Sequence, residues 1–243
     1  MMKVEIWSDI ACPWCFIGKR RFARAMGSFS HRDDVEIVWR SFELDPSAPK
    51  QHGVPQAELL ATKYGVSIEQ ARSMDANMTA EGRKEGLDMR FDRVQVGNTF
   101  DAHRLIHFAN THGRGAEMVE RLFAAYFTDG AAIADTDVLV RLAVEVGLDA
   151  DAARSMLKGT AFADAVRADE ARAQGFGISA VPFFAIDERY GISGAQPPEV
   201  MLDALRQAWD ETAATSKTAG AVPASATATS ASGAGCEDGS CAI

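Results

Sequence analysis

The sequence predicts an α/β fold: a β-α-β unit, a long all-helical block, then a β-β-α unit. Three observations predict it. Residues 3–42 read as strand, helix and strand in succession. Residues 56–175 carry helical periodicity almost throughout. Beyond residue 176 the period changes to that of two short strands, and a last helix follows.

The first strand spans 3–9, with apolar Val4, Ile6 and Trp7. The helix of residues 13–28 places Phe16, Ile17, Phe22, Ala23 and Met26 at helical spacing, with Lys and Arg between them. Val35 to Phe42 is β-branched and aromatic, and short enough for a sheet strand. A strand–helix–strand unit of this length makes the two strands parallel and the crossover right-handed. Asp45-Pro46 and Pro49 break the pattern.

In the block, Ser67-Ile68-Glu69-Gln70 has the capping-box form and opens a helix to about Glu85. Leu87 to Val96 is irregular or extended. Asn98-Thr99-Phe100-Asp101 starts a helix that ends near Gly113. Met118, Val119, Leu122, Phe123, Tyr126 and Phe127 form the apolar stripe of the next. Asp135 caps a helix carrying Val138, Leu139, Leu142 and Val146, ended by Gly147. Helical pattern also covers 149–158 and 160–174. Val181 to Ile186, the turn Asp187-Glu188-Arg189 and Tyr190 to Gly194 read as a β-hairpin. Pro197-Pro198-Glu199 opens the last helix, with Val200, Met201, Leu202, Leu205 and Trp209 inward. After about residue 213 the composition falls to Ala, Ser, Thr and Gly, that of a flexible linker. The organisation expected is 1–45 and 176–213 as two parts of one sheet domain, 46–175 as a helical insertion domain, and 214–243 as a tail.

The 243 residues allow a sizeable core. A net charge of −9 argues against nucleic acid and anionic membrane as partners. Met1-Met2-Lys3 leads straight into a strand with no apolar targeting run, and no stretch reaches the ~18 apolar residues that span a bilayer. The expected location is the cytoplasm, where thiols are mostly kept reduced.

Cys12-Pro13-Trp14-Cys15 sits where the first strand gives way to the first helix. Pro13 fits the first helical turn, where its missing N–H costs nothing. Free backbone N–H groups and the positive end of the helix dipole there favour a Cys12 thiolate, the form that attacks disulfides. Cys15 lies one turn later, placed to close a bond with Cys12. A Cys-x-x-Cys pair is compatible with half a zinc site, a structural loop or a redox dithiol, and Cys236 with Cys241 offer two further thiols for zinc. Pro-Trp at a strand-to-helix junction favours redox chemistry. The reading calls for no cofactor and no metal.

Without its helical block, the element order is that of a thioredoxin-like sheet. The chain resembles the DsbA-like branch of the thioredoxin superfamily, and within it the FrnE-type disulfide oxidoreductases. The segments that carry this are Ser8-Asp9 before Cys12-Pro13-Trp14-Cys15, Val96-Gly97-Asn98-Thr99 before Ala102-His103-Arg104-Leu105, and Gly177-Ile178-Ser179-Ala180-Val181-Pro182. The resemblance covers roughly residues 3–212. It implies a thiol:disulfide oxidoreductase/isomerase acting on protein disulfides or thiols, with glutathione or another thiol reductant as a further partner. It implies catalytic Cys12 and Cys15, and a cis Val181-Pro182 bond beside them. Residue 181 would then offer backbone groups to an extended substrate, and Trp14 would contact it. The resemblance extends to kappa-class glutathione transferases and 2-hydroxychromene-2-carboxylate isomerases, which carry Ser at the first cysteine. A glutathione-dependent isomerase or transferase is therefore the alternative.

Some FrnE-type proteins also carry a second tail pair, which Cys236 and Cys241 resemble as an auxiliary redox site. Glu237-Asp238-Gly239-Ser240 between them is turn-rich, so the two can approach disulfide distance. A structural disulfide or idle thiols are the alternative. Asp9 fits either proton transfer at Cys15 or a strand-end cap. His103 and His107, spaced i, i+4, lack a third ligand and read as packing or surface histidines.

Overall fold

The computed structural model describes residues 1–219, with side chains described to residue 212. β1 (Met2–Ser8) is one of the two inner strands of a four-stranded sheet ordered β2-β1-β3-β4. β2 (Val35–Ser41) runs parallel to it, in register from Met2 opposite Val35 to Ser8 opposite Ser41. β3 (Phe183–Ile186) pairs antiparallel on the other side, and β4 (Tyr190–Ser193) closes the hairpin at the edge. Parallel pairing needs a crossover, and α1 (Pro13–Gly27) supplies it. The parallel pairing of β1 with β2 and the β3–β4 hairpin match the expectation. The hairpin turn places Asp187 and Glu188 at positive φ, 49° and 56°, the hand that matches the twist of the strands it joins.

Between β2 and β3 come α2 (Gln56–Tyr64), α3 (Ile68–Lys84), α4 (Phe100–Thr111), α5 (Gly115–Ala124), α6 (Thr136–Glu145), α7 (Ala150–Lys158) and α8 (Ala163–Gly175). Ser67 and Gln70 form the reciprocal cap of α3, and Asp135 accepts from the Asp137 and Val138 amides at the start of α6, as the sequence predicts. Two local features escape the sequence reading. The stripe through Tyr126 and Phe127 leaves α5 as a π-helical turn, Ala125–Asp129. Residues 160–162 are not helical, and Phe162 takes a left-handed φ of 63° before α8.

Three apolar clusters hold these layers together. Under one face of the sheet, Val4, Ile6, Phe184 and Ile186 pack on Phe22 and Phe29 and on Met201, Leu205 and Ala208 of α9 (Pro198–Ala219). Val200 was expected inward but is 46% exposed. Helical phase explains it: the buried stripe runs 201, 205, 208, which turns 200 outward. On the opposite face Trp7, Ala173, Ile178 and Ala185 pack together, and Trp7 Nε1 donates to Asp169 O at 2.9 Å. The largest cluster belongs to the helical block, yet it contains Ile10, Cys12, Cys15, Phe16 and Ile17. Phe16 stacks on Phe123 with centroids 5.0 Å apart. The first turns of α1 are therefore buried in the core of the inserted helices.

A buried ionic network ties the sheet to α8. Glu5 and Asp169 are almost fully buried. Arg40 donates to Glu5 Oε1 from Nε at 2.8 Å and to Asp169 Oδ1 from Nη1 at 2.9 Å. Arg172 adds two hydrogen bonds to Glu5, and the Ser41 amide donates to Asp169 Oδ2 at 2.9 Å. Burial alone would raise the pKa of Glu5, but the Arg172 and Arg40 guanidinium groups hold it below its ordinary value. Burial likewise opposes ionisation of Asp169, and His107, the Ser41 amide and Arg40 overcome it. Both folded pKa values are depressed. Their contribution to stability is thus fully present above the unfolded carboxylate values near 4 and fades as pH falls through the lower folded values. Arg40→Ala removes one partner from each of two buried carboxylates, leaving Glu5 to Arg172 and Asp169 to His107 and the Ser41 amide, and is expected to cost about 1.5–3 kcal/mol. Urea unfolding followed by far-ultraviolet circular dichroism measures this, and a pH series is expected to show acid unfolding of the variant beginning at higher pH.

Candidate active site

Cys12 closes the short connection from β1 and caps the start of α1. Its backbone is extended (φ −93°, ψ 112°), and Pro13 follows inside the first turn. The Cys15 amide donates to Cys12 O at 3.1 Å, and the Cys12 amide to Asp9 O at 3.1 Å. Both cysteines are free thiols. Cys12 is 5% exposed and Cys15 1%, so reagents reach the pair from the Cys12 side. Trp14, between them, is 41% exposed, on the solvent side of the same turn.

The Val181-Pro182 bond is cis, and its loop covers the dithiol. Cys12 Sγ donates to Val181 O at 3.6 Å. This loop is held from several directions. The Gly194 amide donates to Pro182 O at 2.8 Å, and Arg21 Nη1 to Ala195 O at 2.5 Å. The other side of the Arg21 guanidinium binds Glu85 beyond the end of α3, at 2.7 Å from Nε. Gly18, one turn after Cys15, lets the Pro182 ring approach the helix backbone.

Beneath the dithiol the environment is polar at a few defined points. Burial and the neighbouring Cys12 push the Cys15 thiol well up, while the Asp9 amide and the Ser8 hydroxyl beside it act in the opposite direction. Asp9 is buried and accepts from the Ala11 amide at 3.3 Å and the Leu44 amide at 2.8 Å. It thus caps the two loops that leave β1 and β2. His103 Nε2, from α4, lies 3.4 Å from Asp9 Oδ1. Tyr126, on the π-helical turn, is buried and its phenol is pushed up by burial and by the Asp9 charge. Glu43 is buried beside Asn98 and Arg167, and burial raises its pKa.

The sequence-predicted residues Cys12, Cys15, Trp14, Val181 and Pro182 therefore converge on one end of α1. Cys236 and Cys241 lie outside the described residues. His103 and His107 share a face of α4 but meet different carboxylates, Asp9 and Asp169. Among the described residues no group of three His, Cys, Asp or Glu is arranged to hold a metal ion. Sequence reasoning gave Ser8, Ser41 and Tyr126 no role at this site. The parallel pairing of the two strands that carry Ser8 and Ser41 was available from the strand pattern, whereas the approach of Tyr126 depends on a π-turn that the apolar stripe does not signal.

Residues 3–206 match the DSBA-like thioredoxin domain. The chain belongs to the DSBA-like thioredoxin family. A crystal structure described as a probable DsbA oxidoreductase, SCO1869 from Streptomyces coelicolor, is similar at 48% identity with a TM-score of 0.84, covering 87% of this chain and 91% of that one. An uncharacterised protein of Bacillus subtilis (strain 168), YwbO, is 31% identical over 204 residues, 83% of this chain and 94% of its own length. The cytosolic disulfide reductase DsbM of Pseudomonas aeruginosa shares the fold at 17% identity, with a TM-score of 0.57, covering 84% of this chain and 97% of that one. The DSBA-like membership accords with the thiol pair at the end of α1.

Gly18 provides a direct test of how tightly this end is packed. Replacing a helix-interior glycine by alanine ordinarily stabilises by about 1 kcal/mol. Here the added Cβ would stand 2.9 Å from Pro182 Cγ and 3.5 Å from both Ala195 Cβ and Phe184 Cζ. Gly18→Ala is expected to destabilise by about 1–3 kcal/mol instead, as overpacking does. The denaturant midpoint reads the sign.

Proposed function

We propose that this protein is a thiol:disulfide oxidoreductase and isomerase of protein substrates, of the FrnE type, working through Cys12 and Cys15. One observation carries the reading: two free thiols one helical turn apart, the first at the open start of α1 and the second buried behind it. Cys12 attacks a substrate disulfide, forming a mixed disulfide and releasing one substrate thiolate. Cys15 then gives up its proton and attacks Cys12 Sγ. The Cys12–Cys15 disulfide forms and the second substrate thiolate leaves. Isomerisation results when a substrate thiol attacks the mixed disulfide first, and oxidation runs the sequence in reverse.

In this account Trp14 and the backbone of Val181, with Pro182 behind it, receive an extended substrate segment. The 46–175 insertion shapes the groove. The tail pair Cys236 and Cys241 exchanges with Cys12–Cys15, because a tethered dithiol acts at high effective concentration. A glutathione-class reductant returns the dithiol, and the protein works in the cytoplasm.

Reduction of insulin disulfides in a glutathione buffer tests the core of this. Cys12→Ser is expected to fall to the uncatalysed rate, and Cys15→Ser to accumulate protein bound to substrate through Cys12. Glutathione conjugation of small electrophiles that survives Cys15→Ser would instead support the glutathione-dependent transferase reading. Cys236→Ser with Cys241→Ser is expected to change the turnover number while leaving the Cys12–Cys15 exchange in place. Turnover unaltered in both directions removes the relay.

A further inference from the structure

Resolution of a mixed disulfide needs the Cys15 proton to leave a thiol whose pKa burial pushes well up. The thiol is 1% exposed, so solvent does not take that proton directly. Three features on its far side form a path. The Ser8 hydroxyl lies beside the Cys15 sulfur, is buried, and makes no hydrogen bond of normal geometry. A small cavity of about 10 Å³ has Ser8, Ser41 and His103 in its lining. That is the room of one water, and its polar lining residues supply the two to four partners a buried water needs. Beyond it, Ser41 Oγ lies 3.2 Å from His107 Nε2, and His107 is partly exposed.

The strand register explains the alignment. Ser8 and Ser41 are partners in the parallel ladder, at the last position of each strand. Partner residues in a ladder put their side chains on the same face. The two hydroxyls therefore stand side by side at the end of the sheet that meets the dithiol. His103, held by Asp9, adds a polar side chain to the cavity lining.

We propose that Ser8, one water in this cavity, Ser41 and His107 carry the Cys15 proton between the buried thiol and solvent. The inference rests on the dithiol mechanism proposed above. In the resolving step the Cys15 S–H bond breaks, its proton passes to the chain through the Ser8 oxygen, and a proton leaves at His107. The sulfur's electron pair forms the bond to Cys12 Sγ, and the departing thiolate takes the electrons of the broken disulfide. Ser8, Ser41 and His107 are positioning and proton-carrying residues and do not touch the substrate.

Ellman's reagent separates the two thiols. Stopped-flow mixing with the reduced full chain carrying Cys236→Ser and Cys241→Ser is expected to release thionitrobenzoate in two phases. The first reports attack by Cys12, the second attack by Cys15 on the mixed disulfide. Ser8→Ala and Ser41→Ala are expected to slow the second phase by about tenfold to a hundredfold, the modest end of acid–base effects. The first-phase rate and amplitude, which certify a folded site, are expected to match the parent. In His107→Ala the second phase is expected to rise with imidazole buffer concentration at fixed pH and ionic strength. A second phase within twofold of the parent in both serine variants overturns the proton path, as does equal slowing of both phases. If a serine variant loses first-phase amplitude, the buffer dependence in His107→Ala decides, and its absence also overturns the path. Loss of the first phase in the parent itself refutes the dithiol mechanism and not the path alone.

Discussion

The placement of one helix end governs the rest of this molecule. α1 begins just after Cys12, and its first two turns are gripped by chain segments far away in sequence. Phe16 stacks on Phe123 of α5, and the Pro182 ring presses on the Gly18 backbone. Val181 O receives the Cys12 thiol. All three contacts lie at the same end of α1. The interior is close-packed and does not deform smoothly, so the position of the thiols is set jointly by the sheet, the hairpin loop and the inserted helices.

That arrangement has an electrostatic consequence. The inserted helices bring α1 into their own apolar core, with both cysteines among its members. Burial disfavours a thiolate at Cys15, and the burial that protects it from stray reagents also removes solvent as its proton acceptor. Polar groups are correspondingly few here and confined to the strand ends: Ser8, Asp9 and Ser41, with His103 and His107 reaching in from α4. The sheet supplies the hydroxyls, and the insertion supplies the histidines.

The ionic network of Glu5, Arg40, Asp169 and Arg172 has a different character. It joins β1, β2 and α8 through charges that each have a partner, in a region where an unpartnered charge is costly. Its Asp169 also meets His107. The anchoring of α8 and the orientation of a residue near the dithiol thus share one carboxylate.

The sequence by itself determined much of this protein. Periodicity located the four strands and most helices, because alternation of two and a period of 3.6 are local properties. The caps at Ser67 and Asp135 were equally legible, being made within three residues. Cys12-Pro13-Trp14-Cys15 at a strand-to-helix junction pointed to the thiol pair, and the DSBA-like resemblance to the loop that covers it. The tertiary structure alone decided that the insertion's core encloses α1, that Val200 faces outward, and that the α5 stripe ends in a π-turn. It also decided that His103 and His107 meet two separate carboxylates. These depend on contacts between residues tens of positions apart, 94 for Asp9 with His103 and 66 for Ser41 with His107. A local pattern carries no information about which distant side chain will face a buried hydroxyl, because the packing of whole elements sets that distance.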